Sequence, residues 1–468
     1  MAETSARRAS SLVDRLPIGI YIGFILLLCL CGGSSRFDSP AQSLARASAT
    51  AFAAAALFLP RGRAAALRPA ILFVFCCLAL VLLQLVPLPP TLWATLPGHG
   101  HYASLAAAGG LGAPWRPINL APDRGWNAFF ALLVPGCALL ILTRMRVRDQ
   151  ASLLAVLAVA ILACAMLSLV QWSSGEDAWH LYTIGTREVG IGFFSNRNHA
   201  AVFFACGIPI TAAWARAGNT GNAARWKRTL IACGVMTILT LSLPATGSRA
   251  AFFLLAPALL TGTWLIAPIV AERLQLYSKG TRIAMTSGVA LLALILLASI
   301  AFGDATSTTR LFDEGLVDRQ RQQALGPALD MARRFFPFGI GFGAFDPVYR
   351  GFEPLGTLGP SYLNEVHNDY VQVGLEGGLA GLALLATGIL WWLWASIKLW
   401  RPDPSKPVTP WARAGSAVIL LILIGSLTDY PARTPLIMML LTQGVCWMLL
   451  PSAEAKPASA CVVNFTTR

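Results

Sequence analysis

The residues of this chain that could do chemistry gather in four short polar segments, each beside a long apolar run. "NEVHNDYVQVGLEGGLAGLALL", residues 364–385, sets Glu365, His367, Asn368, Asp369, Tyr370 and Gln372 just ahead of an apolar helix. A neutral imidazole in such a place can accept a proton. Asn364 reads as a helix cap with His367 at the third helical position, where the unpaired N–H groups of the first turn disfavour imidazolium. Asn364, His367, Asn368 and Val371 then share a face, with Asp369 and Glu376 opposite. "LPATGSRAAFF", residues 243–253, puts Arg249 beside Thr246, Gly247 and Ser248. A guanidinium fork matches phosphate, and small neighbours allow close approach. "GIGFFSNRNHAAVFFA", residues 190–205, brings Asn196, Arg197, Asn198 and His199 to another helix start, where N–H groups point at an incoming anion. "GSLTDYPARTP", residues 425–435, holds Asp429 and Arg433 in a turn. Each segment also has a plainer reading. Polar helix starts meet headgroups and water, arginines snorkel to the interface, and Asp429 and Arg433 pair with each other across their turn.

The elements that must position these residues are membrane helices. The chain is 56% hydrophobic and 12% charged, against about 25% charged for a soluble domain. Twelve runs approach the length of a span: 17–33, 43–60, 69–87, 126–143, 151–172, 199–216, 229–245, 250–271, 284–303, 374–397, 414–430 and 434–450. The fold expected is all-α and polytopic, with residues 17–450 as the transmembrane domain between cytoplasmic tails 1–16 and 451–468. Every short loop on one side holds at least three basic residues, which assigns that side and both termini to the cytoplasm. The net charge of +14 is then the positive-inside bias, and no nucleic-acid partner is expected. All the lysines (Lys227, Lys279, Lys398, Lys406 and Lys456) fall on the inner side, and all the histidines (His99, His101, His180, His199 and His367) fall on the outer side or at its boundary. Outward basic residues are arginines, as an anion site would require, although lipid phosphates or acidic partners also account for them.

Three outer segments, 88–125, 173–198 and 304–373, exceed simple turns. The last contains Leu325, Leu329, Ala332 and Phe336 at helical spacing, which predicts an amphipathic surface helix. "PFGIGFGAF" follows. No strand precedes its glycines and no lysine follows them, so it reads as a turn passing close to a helix and not as a nucleotide loop. Nine of the cysteines lie inside apolar runs and Cys461 in the tail, so neither a structural disulfide nor a zinc site is expected. Asp313, Glu314 and Asp318 read as solvated or arginine-paired, and no metal site is assigned.

The segments "FFSNRNHAA", "TGSRAAFFL", "PFGIGFGAF", "HNDYVQVGLEGGLAG" and "GSLTDYPARTP" resemble, in order, the motifs of the O-antigen ligase and polymerase superfamily across residues 190–440. The resemblance implies a C-type glycosyltransferase-like fold with residues 304–373 as a large helical periplasmic loop. It implies a bacterial inner-membrane enzyme acting at the periplasmic face; arginines placed at the leaving diphosphate would stabilise its charge without a metal, and no cofactor is expected. The donor would be an undecaprenyl diphosphate-linked glycan, and the acceptor a lipid A–core hydroxyl or a second lipid-linked glycan, in contact with membrane lipids. His367 matches the proposed base. Arg249 and Arg197 match the arginines that hold the diphosphate, with Asn196 and Asn368 beside them. Arg319 and Arg321 lie where the family carries a loop arginine; the tryptophan that commonly follows it is missing from "RQQALG", so the choice between the two stays open.

Ligase chemistry and polymerase chemistry share this donor site, and transfer to a protein hydroxyl is a third outcome. A transporter or flippase is the non-enzyme alternative. It would show ionisable residues near the midplane of several spans and matching broken helices in two halves. Most spans here have no such residue, and no repeat is visible.

Overall fold

The computed structural model describes residues 15–60, 62, 64–174, 179–186, 189–218, 221–284, 319–358, 363–401 and 408–450. Among these the protein is almost wholly helical. The helices run α1 (Leu16–Cys31), α2 (Pro40–Leu57), α3 (Arg68–Gln84), α4 (Pro90–Thr95), α5 (His99–Ala108), α6 (Pro122–Ala131), α7 (Leu133–Leu142), α8 (Gln150–Ser174), α9 (Arg197–Arg216), α10 (Asn222–Ala245), α11 (Ala250–Leu274), α12 (Arg319–Phe335), α13 (Phe345–Tyr349), α14 (Asp369–Trp400), α15 (Pro410–Gly425) and α16 (Pro435–Leu449). One two-residue antiparallel ladder joins Pro87–Leu88 to Arg116–Pro117.

Seven described helical stretches, α3, α6 with α7, α8, α9, α10, α11 and α14, are long and apolar enough to cross a membrane, and α1, α15 and α16 are shorter apolar helices. The expected run 126–143 is two helices, α6 and α7, meeting at Leu132, and the expected span 284–303 lies outside the described residues except for its first. Proline at the first or second position opens α1, α2, α3, α6, α15 and α16. There it removes an N–H that had no helical partner and presets φ.

α9 is the axis of the bundle, 94% buried along its apolar window. Its wall of small residues, including Ala200, Ala201, Ala205, Gly207, Ala212 and Ala213, is fully enclosed or nearly so, which lets α8, α10, α11 and α15 pack closely around it. A second core lies apart from this one. It joins α12 and α13 to Ala121, Ile340, Leu363, Val366 and Leu375, and so clamps both ends of the segment that carries His367.

Two sequence expectations shift here. In α12 the residues turned inward are Ala324, Ala328, Met331 and Phe335, whereas Leu325, Leu329 and Phe336 are 40%, 39% and 50% exposed. The helix has two adjacent apolar stripes. The one with the smaller residues took the protein contact, because its alanines permit close packing. The larger stripe is left at the surface.

The helix that carries the apolar run 374–397 begins at Asp369, after His367 and not before it, and is broken inside. Gly378 has φ 58° and ψ −148°, outside the helical region. The break is filled by the glycine loop, which does pass close to this helix. The carbonyl of Leu375 accepts from Ile340 N (3.1 Å), that of Glu376 from Gly341 N (3.0 Å), and Leu379 N donates to Pro337 O (2.8 Å). Gln84 at the end of α3 adds a bond from Nε2 to Glu376 O (2.9 Å). The backbone groups released by the break are thus paired inside the protein, as a lipid-embedded chain requires. Glycine is needed on both sides: a Cβ at Gly378 would collide with Pro337 O, and one at Gly339 with Glu376 O.

Candidate active site

Asn368, not Asn364, caps α14. Its Oδ1 accepts from the N–H groups of Tyr370 (3.0 Å) and Val371 (3.1 Å), and its Nδ2 donates to Leu427 O (2.9 Å). His367 therefore lies before the helix and not in its first turn, so the expected effect of the first-turn N–H groups on its imidazole does not apply. The shared helical face of Asn364, His367 and Asn368 disappears for the same reason. His367 has φ 57°, and no other described residue besides glycine has a positive φ. This left-handed conformation is uncommon for a side chain, is somewhat tolerated by histidine, and marks a position held by its surroundings.

Asp429 does much of that holding. Its Oδ1 lies 3.0 Å from His367 Nδ1 and accepts the Tyr430 N–H at 3.0 Å. Its Oδ2 accepts from Asn196 Nδ2 at 3.2 Å and from Asn198 Nδ2. His199 Nε2 stands 3.7 Å from Oδ1, and the ring's Nδ1 is 2.8 Å from Thr434 Oγ1. Asp429 is 1% exposed. A buried carboxylate needs donors around it, and here they come from two segments distant in sequence and from the neighbouring Tyr430 N–H. With Nδ1–H directed at Asp429, His367 presents Nε2 as its proton acceptor. The carboxylate orients the ring and fixes this tautomer. The Tyr430 ring packs 5.0 Å from that of His367 and 5.2 Å from that of His199.

The network continues to the arginine-bearing turn. Ser248 Oγ donates to Asn198 Oδ1 at 2.6 Å. The backbones of Arg197, at the start of α9, and Arg249, just ahead of α11, are thus each one residue from a single hydrogen bond. Both are half-buried, and both sit where helix N–H groups collect. Three of the four polar segments therefore meet on Asp429, directly or through Asn198. Asn196, like Asn368, caps a helix: its Oδ1 accepts from Asn198 N at 2.8 Å. Both asparagines have oxygen and nitrogen engaged within the protein. Arg319 and Arg321 are the first and third residues of α12. Asp313, Glu314 and Asp318 lie outside the described residues.

Asp429 and Arg433 do not pair with each other. Arg433 instead enters a second cluster, with Glu376 at 2.8 Å, Glu365 at 3.4 Å and Asp369 at 3.6 Å. Burial alone would ease its proton off, but Glu376, then Glu365 and Asp369, hold it on. Burial pushes Glu365 up to about 7, with Arg433 opposing the rise and Glu376 adding to it. Gln372 bridges Glu365 and Glu376. Ser426 Oγ donates to Asp369 Oδ2 at 2.8 Å. Among the described residues no group of three or more histidine, cysteine or acidic side chains is arranged to hold a metal ion; the centre of this acidic cluster is a guanidinium.

Sequence reasoning named Asp429 but missed its partner. The signal available was an acidic residue in an otherwise apolar-flanked turn, on the same outer side as two asparagine-rich helix starts. Asn198, His199 and Ser248 were in view as neighbours of Arg197 and Arg249, with no indication of what they bond.

Residues 234–386 match the family profile described as O-antigen ligase. The match contains Arg249, Arg319, Arg321, His367 and Asn368 and ends before Asp429. No curated protein matches the chain.

Proposed function

We propose, from the match of residues 234–386 to the O-antigen ligase profile, that the chain is an inner-membrane glycosyltransferase of the ligase type. It moves a glycan from undecaprenyl diphosphate to a hydroxyl of lipid A–core, at the periplasmic face. The observation that supports this reading most is the contact of His367 with Asp429, at the junction of the segments bearing Arg197 and Arg249.

The step follows from that arrangement. The acceptor O–H gives its proton to His367 Nε2 as its oxygen bonds to the anomeric carbon of the donor. The bond from that carbon to the diphosphate oxygen breaks, and its electron pair leaves with the diphosphate. Arg197 and Arg249 hold that growing negative charge, which is the largest electrostatic demand of the reaction. Arg319 or Arg321, at the start of α12, is the further arginine assigned to the diphosphate. Asn196 and Asn368 act by holding Asp429 and the His367 backbone in place. His367 and Asp429 work as one unit, so loss of either removes the general base.

The test is a surface-glycan gel from the native bacterium, comparing wild type, a deletion and His367→Ala. A ligase leaves lipid A–core without long glycan while lipid-linked polymer accumulates. A single repeat left on the core makes the protein a polymerase instead. A full wild-type ladder in His367→Ala, at normal protein level, refutes the role given to this histidine. An unchanged pattern in the deletion excludes surface-glycan ligation altogether.

A further inference from the structure

A cavity of about 410 Å³ opens beside the candidate site but is not part of it. Neither His367, Asp429, Arg197 nor Arg249 lines it; it meets the site through Asn364, Glu365 and Asp369, which flank His367 in sequence. One stretch of its wall bears Arg36, Arg46, Arg124 and Arg433. The rest runs into the bundle along apolar side chains such as Phe73, Cys77 and Leu80 of α3 and Leu384 and Leu385 of α14. Phe73 is eleven residues before Gln84, so the apolar stretch reaches roughly 16 Å down α3 from the site end.

The four arginines differ in what neutralises them. Arg433 has its three carboxylates. Arg124 has Asp123 at 3.6 Å and Asp346 at 3.7 Å, and lies over the Phe37 ring. Arg36 bonds Asp38 at 2.7 Å. Arg46 has no carboxylate partner among the described residues. It bonds two neutral amide oxygens, Gln42 Oε1 at 3.1 Å and Asn127 Oδ1. Its Nε is buried without a hydrogen bond among the described residues. A guanidinium on an apolar helix, oriented by neutral amides and facing a cavity, is arranged for an anion that arrives from outside. The helices on either side of the apolar stretch, α3 and α14, are the least buried of the long apolar ones, at 17% and 28%. Hydrocarbon chains can therefore reach the cavity sideways.

We infer that this cavity seats the acceptor substrate as a phosphate-bearing lipid, with a phosphate at Arg46 and acyl chains entering between α3 and α14. The inference rests on the proposed function: with the donor diphosphate held at Arg197 and Arg249, the separate cation serves the second lipid substrate. The acceptor hydroxyl then approaches His367 past Asn364 and Glu365, from the side away from the leaving diphosphate.

Two variants test it in the full-length protein purified in detergent. Arg46→Gln removes the charge and retains a polar side chain; Leu384→Trp fills the apolar stretch and leaves Arg46 untouched. Native mass spectrometry measures binding of two probes, lipid A–core and undecaprenyl diphosphate, and steady-state transfer gives the KM for each. Loss of one charged contact predicts lipid A–core binding weakened about tenfold in Arg46→Gln. The acceptor KM rises to match, with donor KM and kcat within about twofold. Leu384→Trp weakens the same probe. Weakened undecaprenyl diphosphate binding instead assigns the cavity to the donor and overturns the inference. Unchanged lipid A–core binding in both variants overturns it too, as does equal competition by phosphatidylglycerol. Binding is read without turnover: a wild-type enzyme that binds lipid A–core through Arg46 yet transfers nothing to it upholds the lipid seat and overturns the proposed activity.

Discussion

Asp429 and Arg433 stand four residues apart in one turn and organise opposite kinds of polar cluster. Around Asp429 one carboxylate is met by two neutral amides, a backbone N–H and two imidazoles. Around Arg433 one guanidinium is met by three carboxylates. In the first cluster a proton can be gained or lost at an imidazole while the carboxylate stays satisfied. In the second, removing the central charge leaves several acids facing one another. In the proposed function the first cluster exchanges a proton with the acceptor; the second holds the 363–369 loop against the 425–435 turn.

The sharpest way to break this comparison is Asp429→Asn. It keeps the shape but loses the tautomer control of His367, and transfer should fall by about 10²–10⁴-fold, with folding only modestly weakened. A radiolabelled-donor transfer assay decides it, and near-normal kcat in this variant would mean that Asp429 is a packing residue. Arg433→Gln should do the reverse. Three carboxylates lose their common partner, and stability should fall by about 3–5 kcal/mol, read as a lowered unfolding midpoint in detergent, while folded molecules retain much of their kcat. Equal effects of the two variants on both readouts would erase the distinction between the clusters.

The smallest effect concerns pH. Glu365 is raised from 4.5 to about 7 in the folded protein, so the fold binds more protons than the unfolded chain between those values. The stability it contributes is present below pH 4.5 and lost as pH rises through about 7. Wild type should therefore melt at a lower temperature at pH 8 than at pH 6, and Glu365→Gln should flatten that difference. An identical pH dependence in the variant would assign the titration elsewhere.

These contrasts also show where reading the sequence stops. Apolar run lengths located the helices, because the cost of burying unpaired backbone in lipid leaves few alternatives. Glycine and serine in "TGSR" marked the turn before α11, and the polar helix starts marked the end of the bundle where the Asp429 network forms. Partner choice was not legible. His367 could not be separated from a helix position because Asn364 and Asn368 are both competent caps, and the choice is made by Asp369 N bonding Ser426 O at 3.0 Å, a contact 57 residues away. Asp429 and Arg433 have complementary charges at a spacing that permits pairing. Each instead has better partners from other helices, and those exist only once α9, α14 and α15 are packed. The stripe of α12 failed similarly, since periodicity identifies apolar faces but not which of two adjacent ones meets the protein.

The break at Gly378 has a consequence in length. Residues 379–400 are 22 residues, and at about 1.5 Å each they measure roughly 33 Å, enough on their own to match a hydrocarbon layer of about 30 Å. The nine residues from Asp369 to Gly377 are surplus to the crossing. They form a helical extension beyond that length, fastened by Gln84 and the glycine loop and carrying Asp369, Gln372 and Glu376. The break at Gly378 thus divides the helix into a part long enough to cross on its own and a part that begins two residues after His367, so the crossing and the placing of the histidine fall to separate lengths of helix.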